Sequence, residues 1–183
     1  MCAGTTPTSG WTQLDSNAVY IDVDLSGCGF TQAPIISSSL AGDDAGGQWR
    51  ATGGSALYLI TATGFRVYVY YPWAITPSAA TSWGWNIDWI AAPPIMSSAF
   101  CAGTSPTSGW TQLDSNTVYI DVDLSGCGFT QAPIIASSLA GITAHGGATG
   151  GSAPYSITAN GFRIYVAEPH ERGIRASDAT AWG

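Results

Sequence analysis

Hydrophobic and polar residues alternate along most of this chain with a period of two. Val19, Ile21, Val23 and Leu25 stand between Tyr20, Asp22 and Asp24, the pattern of a strand with one buried face. Gly27, Cys28 and Gly29 turn the chain, and residues 33–40 predict the next strand. Strands over 57–60 and 65–71 then flank Thr61-Ala62-Thr63-Gly64, a hairpin whose Gly is expected to supply a positive φ. In the outgoing arm Phe65, Val67 and Val69 alternate with Arg66, Tyr68 and Tyr70. Trp85, Ile87 and Trp89 alternate with Asn86 and Asp88 in a last strand. No stretch keeps a helical period beyond one or two turns. The pattern predicts an all-β fold, an antiparallel β-sandwich of about six short strands.

The pattern is written twice. Residues 2–42 return as 101–141 with three changes: Thr6 to Ser105, Ala18 to Thr117 and Ser37 to Ala136. The copies realign at 51–58 against 148–155, at 61–69 against 158–166 and at 78–84 against 177–183; in the second hairpin Asn160-Gly161 replaces Thr63-Gly64. A spacing this long exceeds that of solenoid and propeller repeats, so each copy reads as a small domain with its own modest core. The expected organisation is a sandwich over 2–91, a linker over 92–100 and a second sandwich over 101–183. Pro93 and Pro94 mark the linker because neither can continue a ladder. The second copy runs to Gly183, the counterpart of Gly84, without a counterpart of Trp85, Ile87 and Trp89. Two tandem sandwiches are therefore expected, the second lacking its last strand. Either a longer parent chain or a neighbouring chain would supply that strand, and the former is preferred.

Strand alternation also sorts the loops. The turn over 26–32 and the hairpin over 61–64 share one end of the sandwich, and the loops over 41–55 and 72–82 share the other. Nearly all difference between the copies falls at this second end, which is how a fixed frame carries recognition. It holds Asp43, Asp44, Trp49, Arg50 and Trp73 in the first copy. Aromatic faces under sugar C–H surfaces, with planar polar groups bonding to hydroxyls, make a saccharide site. The second copy offers His145, Glu168, His170, Glu171, Arg172 and Arg175 instead. The adjacent arginines favour salt bridges there over a metal centre, and Asp43-Asp44 lacks the third acid a calcium site needs.

Composition narrows the class. Twelve carboxylates face five Arg and no Lys, a net charge of −7. An acidic chain of this kind has no electrostatic footprint for nucleic acid or an anionic membrane surface, and no apolar run approaches a membrane span. Cys2, Cys28, Cys101 and Cys127 place one pair in each copy at equal separation, which points to one bridge per copy and an oxidising, extracellular setting. Asp22 and Asp24, with Asp121 and Asp123, lie on the outward face of a regular strand, a solvated face rather than a glycosidase pair. Arg66, Tyr68 and Tyr70 form an outer face of the kind interfaces favour. No catalytic triad, phosphate loop or zinc signature is present, so neither an enzyme nor a cofactor is expected.

Several short motifs resemble the H-type lectin domain, the fold of snail agglutinins and of discoidin C-terminal domains. They are Cys2 with Gly4, then Gly10-Trp11, the strand over 19–23, Cys28, residues 34–36, Ser39-Leu40, Thr63-Gly64-Phe65 and the strand over 85–90. The resemblance implies a six-stranded sandwich, assembly into trimers or hexamers, and binding of galactose or N-acetylgalactosamine between protomers. Some positions depart from the family pattern. Ala56 and Ala153 stand where it has an Arg, and Val69 and Val166 where it has a Cys. Trp73 keeps the Trp of a Trp-His pair but is followed by Ala74, while His170 takes the corresponding place in the second copy. Without the family's other Cys, the two in each copy either pair with each other or leave one to bridge chains.

The leading expectation is an extracellular carbohydrate-binding module whose partners are glycans, with Trp73, Trp49, Arg50, Asp43 and His170 as site residues. The alternative is a structural subunit of an extracellular filament, sheath or appendage, self-associating head to tail.

Overall fold

The computed structural model describes residues 1–42, 50–94, 100–168 and 173–183. The first copy forms β1 (Cys2–Thr5), β2 (Thr12–Asp15), β3 (Ala18–Asp24), β4 (Ile35–Ala41), β5 (Ala56–Tyr58), β6 (Gly64–Tyr70), the short helix α1 (Pro77–Ser82) and β7 (Asn86–Ala92). The second forms β8 (Thr111–Asp114), β9 (Thr117–Asp123), β10 (Leu139–Ala140), β11 (Pro154–Tyr155), β12 (Gly161–Ala167) and the helix α2 (Ala176–Trp182). The chain is all-β, with antiparallel ladders throughout each copy.

In the first copy the order β1-β7-β4 makes one sheet, and β5-β6-β3-β2 lies in the other. The predicted alternation is realised in the register of β3 with β6, where Val19 faces Val69, Ile21 faces Val67 and Val23 faces Phe65. Those side chains meet Trp85, just before β7, and Ile87 within it in a closed core, with Val19, Val67, Val69, Trp85 and Ile87 fully buried. Each such aliphatic side chain contributes about 1.5–3 kcal/mol of burial. The indole N–H of Trp11 donates to the Trp85 carbonyl at 3.0 Å, which fixes the entry of β7 into the core.

The hairpin before β6 forms, but for a different reason from the expected one. Neither Gly64 nor Gly161 has a positive φ. Glycine is needed because a Cβ at Gly64 would lie 2.7 Å from the Val23 carbonyl oxygen, and one at Gly161 2.6 Å from that of Val122. The turn itself is held by the Thr61 hydroxyl, which accepts from Gly64 N–H at 3.1 Å.

The second copy builds one sheet, β11-β12-β9-β8, with the same register as its twin. The facing sheet is not repeated. Residues 132–138 carry no strand and 101–105 no more than a single bridge. Their neighbour β10 packs Leu139 on the second copy's core but pairs in parallel with β5, Leu139 opposite Ala56 and Ala140 opposite Leu57. The first copy's second sheet thus has five strands, β10-β5-β6-β3-β2. The copies share a sheet instead of being joined by a linker alone. Ser138 reinforces the joint, its hydroxyl accepting from Ser38 N–H at 2.9 Å.

Disulfides Cys2–Cys28 and Cys101–Cys127 close each copy, with Cα atoms 5.8 Å apart in both. They resolve the open pairing in favour of bridges within each copy. Among the described residues no helix is long and apolar enough to cross a membrane.

Candidate functional site

The loop between β6 and α1 is held from below and open above. Ile75 is buried, its N–H donating to the Ser16 carbonyl at 2.9 Å and its carbonyl accepting from the Gln13 side-chain amide at 2.9 Å. Tyr71 N–H donates to Asn17 O at 2.8 Å. The Thr76 hydroxyl caps α1 by accepting from Ala79 N–H at 3.1 Å, and Pro77 fits the first helical turn. With both ends pinned, the intervening Trp73 is turned outward and is 53% exposed.

Behind Trp73 stands an aromatic stack. Its ring meets Tyr71 at 5.4 Å and 67°, and Tyr71 meets Trp83 at 5.4 Å and Trp85 at 5.7 Å. The Arg50 guanidinium lies over the Trp73 ring, 4.8 Å from its centroid. Two loops predicted to share one end of the sandwich therefore touch there. Chemically the rim offers a large π face and a charged planar donor side by side, suited to a ligand with one apolar and one hydroxyl-bearing surface. Asp43 and Trp49, expected at the same rim, lie outside the described residues, as does His170. Tyr71 and Trp83 were not singled out in the sequence; the alternation of their surroundings breaks at Pro72, which hides their shared stack.

The diverged loop of the second copy behaves differently. His145 is not at an open rim: it is 1% exposed and stacked on Tyr58, with centroids 3.9 Å apart and planes at 11°. Its Nε2 lies 3.1 Å from Leu57 O and its Nδ1 3.2 Å from Thr143 O. Burial holds the imidazole below its usual range, partly offset by those two carbonyls. Burial likewise pushes the Tyr58 phenol up. Glu168, the counterpart of Tyr71, is buried beside Gly147, with its N–H donating to Asn116 O at 3.0 Å. His145 therefore belongs to the joint between the copies; Glu171 and Arg172, grouped with it in the sequence, lie outside the described residues.

On the outer face, Arg66 makes a bidentate pair with Asp22, Nε to Oδ1 at 2.6 Å and Nη2 to Oδ2 at 2.7 Å, and lies 4.0 Å over the Tyr20 ring. That guanidinium holds the Asp22 carboxyl below the usual carboxylate range. Tyr68 lies against both Tyr20 and Tyr58. The second copy repeats the ladder with Arg163, Asp121, Tyr119, Tyr165 and Tyr155. Tyr70 faces the turn of the second copy at His145–Gly147, where a Cβ on Gly146 would lie 2.6 Å from its ring. Asp24 accepts from Ser26 N–H at 2.8 Å in a side-chain turn, and its carboxyl is lowered by that bond.

Comparison with protein-family models, with curated proteins and with solved structures matches this chain to none of them.

Proposed function

We propose that the protein is an extracellular carbohydrate-binding module whose working site is the Trp73 rim of the first copy. One observation carries this reading: an outward Trp, braced by Tyr71 and with an arginine guanidinium over its ring, stands on a loop anchored at both ends. The brace matters because a pre-set aromatic platform loses little side-chain freedom on binding a sugar. Two disulfides agree with an oxidising, extracellular setting. The resemblance to H-type lectins suggests galactose-type ligands and self-association. The test is binding of the purified chain to immobilised glycans, with Trp73→Ala and Arg50→Ala alongside. Saturable binding, lost in Trp73→Ala and weakened in Arg50→Ala, is the expected result. Binding that survives Trp73→Ala would remove this rim as the site.

A second reading, a structural subunit of an extracellular filament or sheath, is favoured by apolar side chains left open in the second copy, with Ile134 fully exposed and Val122 and Phe162 only half-buried. An exposed apolar sheet face is a surface through which chains join. Open-ended, concentration-dependent growth of particles would support it, whereas a fixed monomer would exclude it.

A further inference from the structure

The hairpin that enters β12 carries a chemistry that its twin before β6 lacks. In both, the fold itself demands the glycine, since any Cβ would collide with the carbonyl oxygen of Val23 or Val122. The residue in front of that glycine is Thr63 in the first copy and Asn160 in the second. A glycine nitrogen is open to attack on a preceding side-chain amide, because no Cβ keeps the two apart. Asn160 is exposed, and its side-chain amide makes no hydrogen bond among the described residues. The other asparagines differ. Asn17 is held through both ends of its amide, accepting from the Ser16 hydroxyl at 2.6 Å and donating to the Tyr71 carbonyl at 3.5 Å. Asn86 and Asn116 precede Ile87 and Thr117, whose branched Cβ atoms crowd their own backbone nitrogens.

The Thr158 hydroxyl restrains the nucleophile. It accepts from Gly161 N–H at 3.1 Å and from Asn160 N–H at 3.2 Å, and it donates to the Gly161 carbonyl at 3.0 Å. While the first of these bonds holds, the Gly161 nitrogen keeps its proton. The carbonyl of Asn160 is also in use, accepting from Leu124 N–H at 2.8 Å where β9 passes into its turn.

We propose that Asn160 is a modification site, at which the second copy converts with time to aspartate and isoaspartate while the first copy stays unchanged. The Gly161 nitrogen, having lost its proton to base in solution, attacks Asn160 Cγ. The Cγ–Nδ2 bond breaks, a succinimide closes, and Nδ2 leaves as ammonia with a proton regained from solvent. Water then opens the ring. Attack at Cγ leaves aspartate; attack at the backbone carbonyl leaves isoaspartate, whose main chain runs through Cγ. Either product adds a negative charge beside Asp123, the ladder partner of Gly161. Isoaspartate also undoes an anchor, since the carbonyl that accepted from Leu124 becomes a free carboxylate on a lengthened chain. The matching bond from Leu25 N–H to the Thr63 carbonyl, at 2.8 Å, is untouched. The inference is independent of sugar binding.

The test is incubation of the purified chain at neutral to mildly alkaline pH, with peptide mapping by mass spectrometry over time. Aspartate and isoaspartate should accumulate at Asn160, while Asn17, Asn86 and Asn116 keep their amides. Thr158→Val, which removes the hydroxyl and keeps the shape, should speed conversion about two- to tenfold, the worth of one hydrogen bond. Thr158→Ser should leave the rate unchanged. Asn160→Thr, which copies the first hairpin, should abolish conversion with β12 amides still protected from hydrogen exchange. In the aged chain the Leu124 amide should lose about tenfold in protection while that of Leu25 holds. An Asn160 that stays intact while the urea-unfolded chain converts would overturn the proposal. So would equal conversion at another asparagine, an unchanged rate in Thr158→Val, or full protection of Leu124 in the isoaspartate form.

Discussion

Phe65 and Phe162 occupy the same register position in two copies of one ladder, so truncating each to Ala measures what the facing sheet is worth. Phe65 pairs opposite Val23, is 3% exposed and packs on Trp89. Phe→Ala at such a site costs about 3–5 kcal/mol, because transfer energy is lost and a closed cavity remains. Phe162 pairs opposite Val122 with the same neighbours in its own sheet, but it is only half-buried and lines an open groove of about 990 Å³. About half of the transfer energy is at stake there, and truncation into an open groove leaves no closed cavity, so roughly 1.5–2.5 kcal/mol is expected. The difference, about 2 kcal/mol, corresponds to roughly a thirtyfold change in the folding equilibrium. Urea unfolding of both variants gives the numbers. Exchange of β6 and β12 amides is read in parallel, since the two copies can unfold in separate transitions. Equal losses, or a larger loss at Phe162, would refute the reasoning that the packing of Phe65 on Trp89 of β7 sets its larger cost.

His145 gives a pH dependence of definite sign. Its folded pKa lies below the ordinary value of 6.5, so the unfolded chain binds more protons just below that pH. The stability is fully present above pH 6.5 and falls as the pH drops below it, by about 1.4 kcal/mol per unit until the folded group itself titrates. The carboxyls of Asp22, Asp24, Asp121 and Asp123 are lowered from 3.8, so their losses belong to a more acidic window. Urea midpoints between pH 7.5 and 5.5 should therefore fall in the wild type and stay flat in His145→Phe, which keeps the stack on Tyr58; an equal fall in both would show that another group titrates. Removing the first bridge with Cys2→Ser and Cys28→Ser should cost about 3–4 kcal/mol for a sequence separation of 26, and the same for Cys101 with Cys127. Thermal unfolding checks both, and a loss below about 1 kcal/mol would mean that the reduced chain still holds those ends together.

Much of the candidate site could be read from residues 41–55 and 72–82 once strand parity had placed both loops at one end. Trp73 and Arg50 were visible as chemistry, but their contact was not. It depends on Ile75 anchoring the loop, which turns Trp73 outward. His145 looked like a rim residue because its loop is polar and glycine-rich. Its burial comes from a partner surface, Leu57 and Tyr58, that lies far away in sequence. The glycine of each hairpin was correctly seen as necessary, yet its reason is a carbonyl on the neighbouring strand, which a local turn pattern does not contain.

The sequence by itself determined which face of each strand is apolar, where the turns fall and that two copies of one plan are present. Alternation is a local property, and each strand carries it whatever surrounds it. Tertiary structure decided what the second copy becomes. Residues 35–41 and 134–140 differ only at Ser37 and Ala136, yet one is a seven-residue strand and the other keeps two residues of strand on a different sheet. A strand exists only where another backbone completes its ladder. In the first copy β7 does so for β4; in the second, β5 of the first copy does so for β10.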